Sequence, residues 1–189
     1  TWMWRNTEVT QFAEWLRQHN EQIAYLDDVD PAEAARARER YSCFDHVGAE
    51  GQAYGFALAY QQAVPCESEV VAQLISLRHR ARQDLRHDSW LAEDELFCAE
   101  QNAVAVRDAE EYYQQMYRAD ASSWNLRDRH MAATLDALLD HFDRRDGHTK
   151  VVVWEHNSHI GDARATAMAA RGEFNVGQLA RQRYGEHAV

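Results

Sequence analysis

The sequence predicts an α/β protein: a mostly helical chain with one buried, parallel-type strand near residues 150–155, belonging to a larger central-sheet domain. Three observations lead there. Apolar residues recur at helical spacing along most of the 189 residues. Only two prolines and eight glycines interrupt them, few for a chain with many turns. Near the C-terminal end the period changes abruptly, where Lys150-Val-Val-Val-Trp154 is β-branched and apolar on both faces.

Taken in order, Thr7 to His19 carries Val9, Phe12, Ala13 and Leu16 on one helical face. Asp30-Pro31 opens a second helix, with Asp30 as N-cap, proline in the first turn and Glu33 completing a box-like cap. The glycines and mixed polarity between Cys43 and Val64 predict a loop or broken helix. Pro65 precedes a third helix with Val70, Leu74, Leu77, Ala81 and Leu85 in register. A long fourth helix covers Trp90 to Tyr117, and a fifth begins near Ser123. No repeat or low-complexity segment marks a boundary. Residues 1–189 therefore read as a single domain, with 1–145 mainly helical and 146–189 holding the strand, an HxxH loop and helices.

Composition narrows the function. The hydrophobic content of 46% suits a folded globule, and no apolar run reaches the roughly 18 residues of a membrane span. A formal net charge of −11, with no basic stripe, argues against a nucleic-acid partner. Cys43, Cys66 and Cys98 are far apart and odd in number, without a CxxC. They read as small hydrophobes in a reducing cytoplasm rather than a disulfide framework.

Chemistry concentrates after the expected strand, in Glu155-His156-Asn157-Ser158-His159-Ile160-Gly161-Asp162-Ala163-Arg164. In open parallel sheets, ligands bind outside the carboxyl ends of strands, where loops aim several side chains at one place. His156 and His159 can move protons near neutrality. A structural reading also stands, in which one imidazole caps the strand and the other faces solvent. A metal is the sharper alternative, with two histidine nitrogens and an oxygen from Glu155 or Asp162. The spacing, however, is not that of HExxH on a helix.

The helix from Ser122 adds a second feature. Its apolar stripe is Trp124, Met131, Leu135, Leu138 and Phe142, and Asp128 falls on that stripe with Arg127 at its border. A carboxylate facing a core is costly unless paired. Asp128 either forms a structural Arg–Asp pair or an interaction with the helix start, or it orients a histidine from the strand end. Trp2 and Trp4, beside Arg5, form either core or a ligand wall. No phosphate-binding glycine loop and no GxSxG elbow are present.

Four ordered blocks, TWMWRN, SSWNLRDRHMAATLDAL, KVVVWEHNSHIGDARATAM and GEFNVGQLARQRYG, resemble the erythromycin esterase family, including its succinoglycan biosynthesis protein-like members. The resemblance implies a central sheet with a large helical insertion. It also implies a hydrolase that opens a macrolide lactone or another ester with activated water, no covalent nucleophile and no cofactor. The family's upstream Glu/His segment has no counterpart here, so the chain is expected to be an internal fragment and inactive without it.

His156, His159 and Asp128 are the catalytic residues this resemblance implies. Arg127, Asn157, Asp162, Arg164, Trp4 and Arg5 are the corresponding substrate contacts. By this reading His156 bonds the substrate carbonyl or the water, His159 supports it, and Arg127 or Arg164 stabilises developing negative charge. Glu155 departs from the family pattern, which has a small residue there; on a strand it points away from His156. The expected partner is a small ester or lactone, with neither nucleic acid nor membrane. Two other readings stay open: a metal-dependent hydrolase or metal-binding protein using HxxH, and a non-catalytic helical interaction domain.

Overall fold

The computed structural model describes residues 22–47, 51–84, 90–117 and 121–189. The expected helix from Thr7 to His19, together with Trp2, Trp4 and Arg5, lies outside them. The chain divides into two compact units, Thr1–His46 with Cys66–Arg107, and Val47–Pro65 with Asp108–Val189.

In the first unit, α1 (Gln22–Val29) and α2 (Pro31–Tyr41) are joined at Asp30. The Asp30 carboxylate accepts the Glu33 amide at 3.0 Å and Pro31 occupies the first turn, as the cap pattern predicts. Asp30 also pairs with Arg80. Ala34 and Ala37 carry almost no side chain and are fully buried, so α2 lies close against Leu74 and Leu77 of the long helix Glu67–Asp84. Leu26, Ala99 and Ala103 complete that core. Glu33 is buried yet satisfied, accepting from Ser76, Arg36 and Arg40.

Cys43 and Cys66 form a disulfide, with Cα atoms 5.9 Å apart. This corrects the reading of the cysteines as unpaired hydrophobes. A pairing across 23 residues of chain is a tertiary fact that local spacing does not encode. Cys98 is free and exposed.

In the second unit, α3 (Gly51–Ala59) occupies the stretch expected as a loop or broken helix. Gly55 has no room for a side chain against Met116 and the Tyr113 carbonyl, so its low helical propensity is exchanged for close packing. The Tyr54 hydroxyl donates to the buried Glu110 at 2.9 Å. With the Glu67–Asp84 helix as α4, the long α5 (Trp90–Gln115) and α6 (Ser122–Asp146) follow, close to the expected bounds. Short helices then alternate with turns: α7 (Asn157–Ile160), a 3-10 turn (Ala163–Ala165), α8 (Ala167–Ala170) and α9 (Val176–Tyr184), which packs on α6.

The fold-class expectation is overturned. Among the described residues there is no strand and no sheet; the structure is helical, not α/β. Residues 149–156 form no regular element and lack a hydrogen-bonded neighbour strand among the described residues. Nor is the segment buried: Val152 is 92% and Trp154 95% exposed. β-branched residues favour extended backbone locally, but a strand exists only where a second chain segment takes up its N–H and C=O groups. No helix of the described residues is long and apolar enough to cross a membrane.

Candidate active site

The site is built where α6, α7 and the start of α9 meet within the second unit. Asp128 is 0% exposed. Its Oδ1 faces Nδ1 of His159 at 2.9 Å and accepts the Val176 backbone N–H at 3.0 Å. With Asp128 ionised, the imidazole donates from Nδ1 and leaves Nε2 as its basic atom. Burial pushes the Asp128 carboxyl above the ordinary aspartate range; the His159 hydrogen bond and charge, the Val176 amide and the nearby Arg127 charge pull the other way.

His159 is held on its face as well as its edge. The Trp124 indole stacks on it, with centroids 4.7 Å apart and planes 6° from parallel. Trp124 is fixed in turn by donating from Nε1 to the Phe174 carbonyl at 2.7 Å. On the 172–174 turn, Asn125 donates to Gly172 O at 2.8 Å and accepts from Phe174 N at 3.0 Å. About 20% of the His159 side chain remains open. The Arg127 guanidinium lies over Trp124 at 5.0 Å and over Tyr112 at 5.8 Å, with the residue exposed.

Glu155 belongs to this cluster. It is partly buried, and burial raises its carboxyl above the usual range. The charge of His159 opposes that rise and the charge of Asp128 adds to it. One oxygen of each carboxylate, Asp128 Oδ2 and Glu155 Oε2, is buried without a hydrogen-bond partner among the described residues.

His156 is turned elsewhere. It is exposed and caps α7, its Nδ1 accepting from the Ser158 amide at 3.3 Å and lying 2.9 Å from the Ser158 hydroxyl. An accepting Nδ1 puts the proton of the neutral ring on Nε2, so this histidine is a donor to whatever lies outside. Asn157 is exposed beside it.

Asp162 caps the 3-10 turn through Arg164 N at 3.1 Å and holds the Arg164 side chain at 2.9 and 2.7 Å. Led by that Arg164 hydrogen bond, its carboxyl sits at about 2. Thr166 caps α8 through Met168 N at 3.1 Å, and Asn175 caps α9 through Gln178 N at 2.9 Å. Much of the polar density in this stretch is thus spent capping short helices.

Three residues outside the predicted site support the dyad: Trp124, Asn175 and Gly177. The sequence marks Trp124 only as part of the apolar stripe. Asn175 bonds the Ser158 carbonyl at 2.9 Å and tethers α7 to α9. Its Asn-x-x-Gln pattern with Gln178 is a cap signal that could have found it. Gly177 abuts α7 so closely that a Cβ would lie 2.2 Å from the Ile160 carbonyl. Among the described residues no three His, Cys, Asp or Glu side chains converge as a metal shell; the two imidazoles have separate partners.

A buried acid fixing an imidazole by its Nδ1 is an arrangement able to do general acid–base work. The profile of the erythromycin esterase family matches residues 21–189, and the chain belongs to that family. No solved structure matches this chain.

Proposed function

We propose that this protein is a carboxylic ester hydrolase that opens a macrolide lactone or a related ester with activated water. Family membership supports hydrolysis as the reaction. The observation that carries the reading is the Asp128–His159 hydrogen bond at 2.9 Å, with Asp128 wholly buried. Asp128 holds the tautomer in which His159 Nε2 is free to accept a proton. A water on that nitrogen loses its proton to His159 as its oxygen bonds to the ester carbonyl carbon. The tetrahedral intermediate then expels the alcohol oxygen, which takes the proton back from the imidazolium. One water is added, and acid and alcohol result.

His156 is suited to the carbonyl oxygen, since its Nε2–H is a donor at the surface. Arg127 is the better cation for the developing charge, because Arg164 is already engaged with Asp162. Asn157 beside His156 is a further substrate contact. Asp162 and Arg164 act chiefly by shaping the loop. No cofactor is required by this route.

The test is incubation of the purified full-length natural protein, upstream Glu/His segment included, with a macrolide lactone, with mass spectrometry reading the addition of one water. Water addition that disappears in His159→Ala and in His156→Ala is the expected result. Unchanged hydrolysis in either variant would remove that histidine from the chemistry, and no water addition by the unaltered protein would remove the lactone.

A further inference from the structure

A concavity lies between α6 and α9. It has a volume of about 280 Å³ and is lined by Arg129, Ala132, Ala133, Leu179, Gln182 and Arg183. Arg129 follows Asp128 in sequence, but successive residues on a helix point about 100° apart. Asp128 is accordingly wholly buried and Arg129 exposed. The hydrolytic reading does not bear on this cavity, and the cavity does not depend on it.

We propose that this cavity binds a small monocarboxylate carrying a short aliphatic chain. Three features select that chemistry. The Arg129 guanidinium lies over the Phe174 ring at 5.7 Å, and no carboxylate among the described residues pairs with it. Arg183, by contrast, is already paired with Asp136. The cavity therefore offers one uncompensated positive charge, which fits a monoanion better than a phosphate dianion. A guanidinium presents the parallel N–H fork that a carboxylate accepts.

The Gln182 amide makes no hydrogen bond among the described residues and adds a donor and an acceptor. Between these polar groups, Ala132, Ala133 and Leu179 provide an apolar floor, open because two alanines stand side by side on α6. The volume falls just below the usual range of about 300–1,000 Å³ for small-molecule sites, so the ligand is small. The chain's net charge of −11 opposes any anion at long range. At physiological salt that field is screened beyond about 8 Å, and the adjacent guanidinium decides.

Sodium hexanoate and hexan-1-ol, identical in chain length, are the probes, each titrated into the labelled protein and followed by amide NMR. Hexanoate should saturate with shifts gathered at residues 129–133 and 179–183. It should bind about tenfold tighter than the alcohol, the size of one charged hydrogen-bond pair. Arg129→Gln should lose that factor, while Arg129→Lys should keep part of it. Ala133→Leu, which fills the cavity, should abolish binding of both probes. Both substituted positions are exposed on a helix, and the replacements are good helix formers, so the variants fold. Equal binding of acid and alcohol, unchanged affinity in Arg129→Gln, shifts centred elsewhere, or no binding would each overturn the proposal.

Discussion

The Trp124 indole and the His159 imidazole lie face to face, 4.7 Å apart and 6° from parallel, while Asp128 holds the imidazole edge. Two perpendicular restraints leave the ring one orientation. Trp124→Leu keeps an apolar residue but removes the flat support and the bond to Phe174 O. Loss of orientation alone costs about tenfold to a hundredfold in rate. We expect kcat of ester hydrolysis to fall by about that factor, with KM little changed; an unaltered kcat would show that the stack does not position the base.

Asp128→Asn tests the edge. The amide oxygen can still accept the Val176 N–H. Standing at the Oδ1 position, that same oxygen also accepts from His159 Nδ1, so the tautomer is kept while the partner becomes neutral and no longer stabilises the imidazolium. Trading a charged for a neutral partner costs about tenfold in kcat. Folding should persist, since the substitution also relieves a buried carboxylate. Near-normal turnover with a normal circular dichroism spectrum would remove Asp128 from the mechanism.

Gly177→Ala should separate the helices that bracket the site. A Cβ there would meet the carbonyls of Ile160 and Gly161 at 2.2 and 2.3 Å, both backbone atoms that cannot swing aside. Overpacking against backbone costs about 3 kcal/mol. Urea unfolding should show a lower midpoint with unchanged slope, and an unshifted midpoint would mean that α7 and α9 do not hold this contact in solution.

The long helices were legible because their signals are local. The Asp30-Pro31-Glu33 cap and the spacing of Val70, Leu74 and Leu77 need no knowledge of neighbours. Asp128 stood out because an acid on an apolar stripe demands a partner. The Val151–Val153 run misled because propensity is local while a ladder requires a second segment. Gly51 and Gly55 hid α3 because their low helical propensity is a single-residue property, whereas the tight approach of Met116 is tertiary. The HxxH spacing could not tell a capping imidazole from one held by a buried acid. That distinction rests on His156 turning to Ser158 and His159 to Asp128.

The Cys43–Cys66 disulfide closes a loop across 23 residues. Loop-closure entropy gives such a crosslink about 3 kcal/mol of stabilisation. Adding a thiol reductant should therefore lower the unfolding midpoint of the native protein and leave that of Cys43→Ser unchanged. Alkylation and mass spectrometry without reductant should modify Cys98 alone, and slowly. Although the residue is exposed, desolvation of its sulfur by the surrounding helix first, then the charges of Asp94 and Glu95, raise its thiol and keep its thiolate scarce. Rapid labelling of all three cysteines in the native protein would refute the pairing.

Asp162 and Glu155 should give stability opposite pH dependences. Asp162 drops from 3.8 to about 2 on folding, chiefly through Arg164. A depressed carboxyl adds stability that is present above 3.8 and lost as pH falls toward 2. Asp162→Asn should therefore flatten the acid limb of a Tm–pH curve between those values. Glu155 is raised above 4.5 by burial, with His159 opposing and Asp128 reinforcing. A raised carboxyl makes its most favourable contribution below 4.5 and loses it as pH climbs through the folded value. Glu155→Gln removes that loss, so the variant should gain Tm over the native protein as pH rises from about 4 to 8. Because Asp128 carries the same sign and stays in place in Glu155→Gln, Asp128→Asn measured alongside separates the two carboxyls. A Glu155→Gln advantage that does not change with pH would mean that Glu155 is not the group losing stability on ionisation.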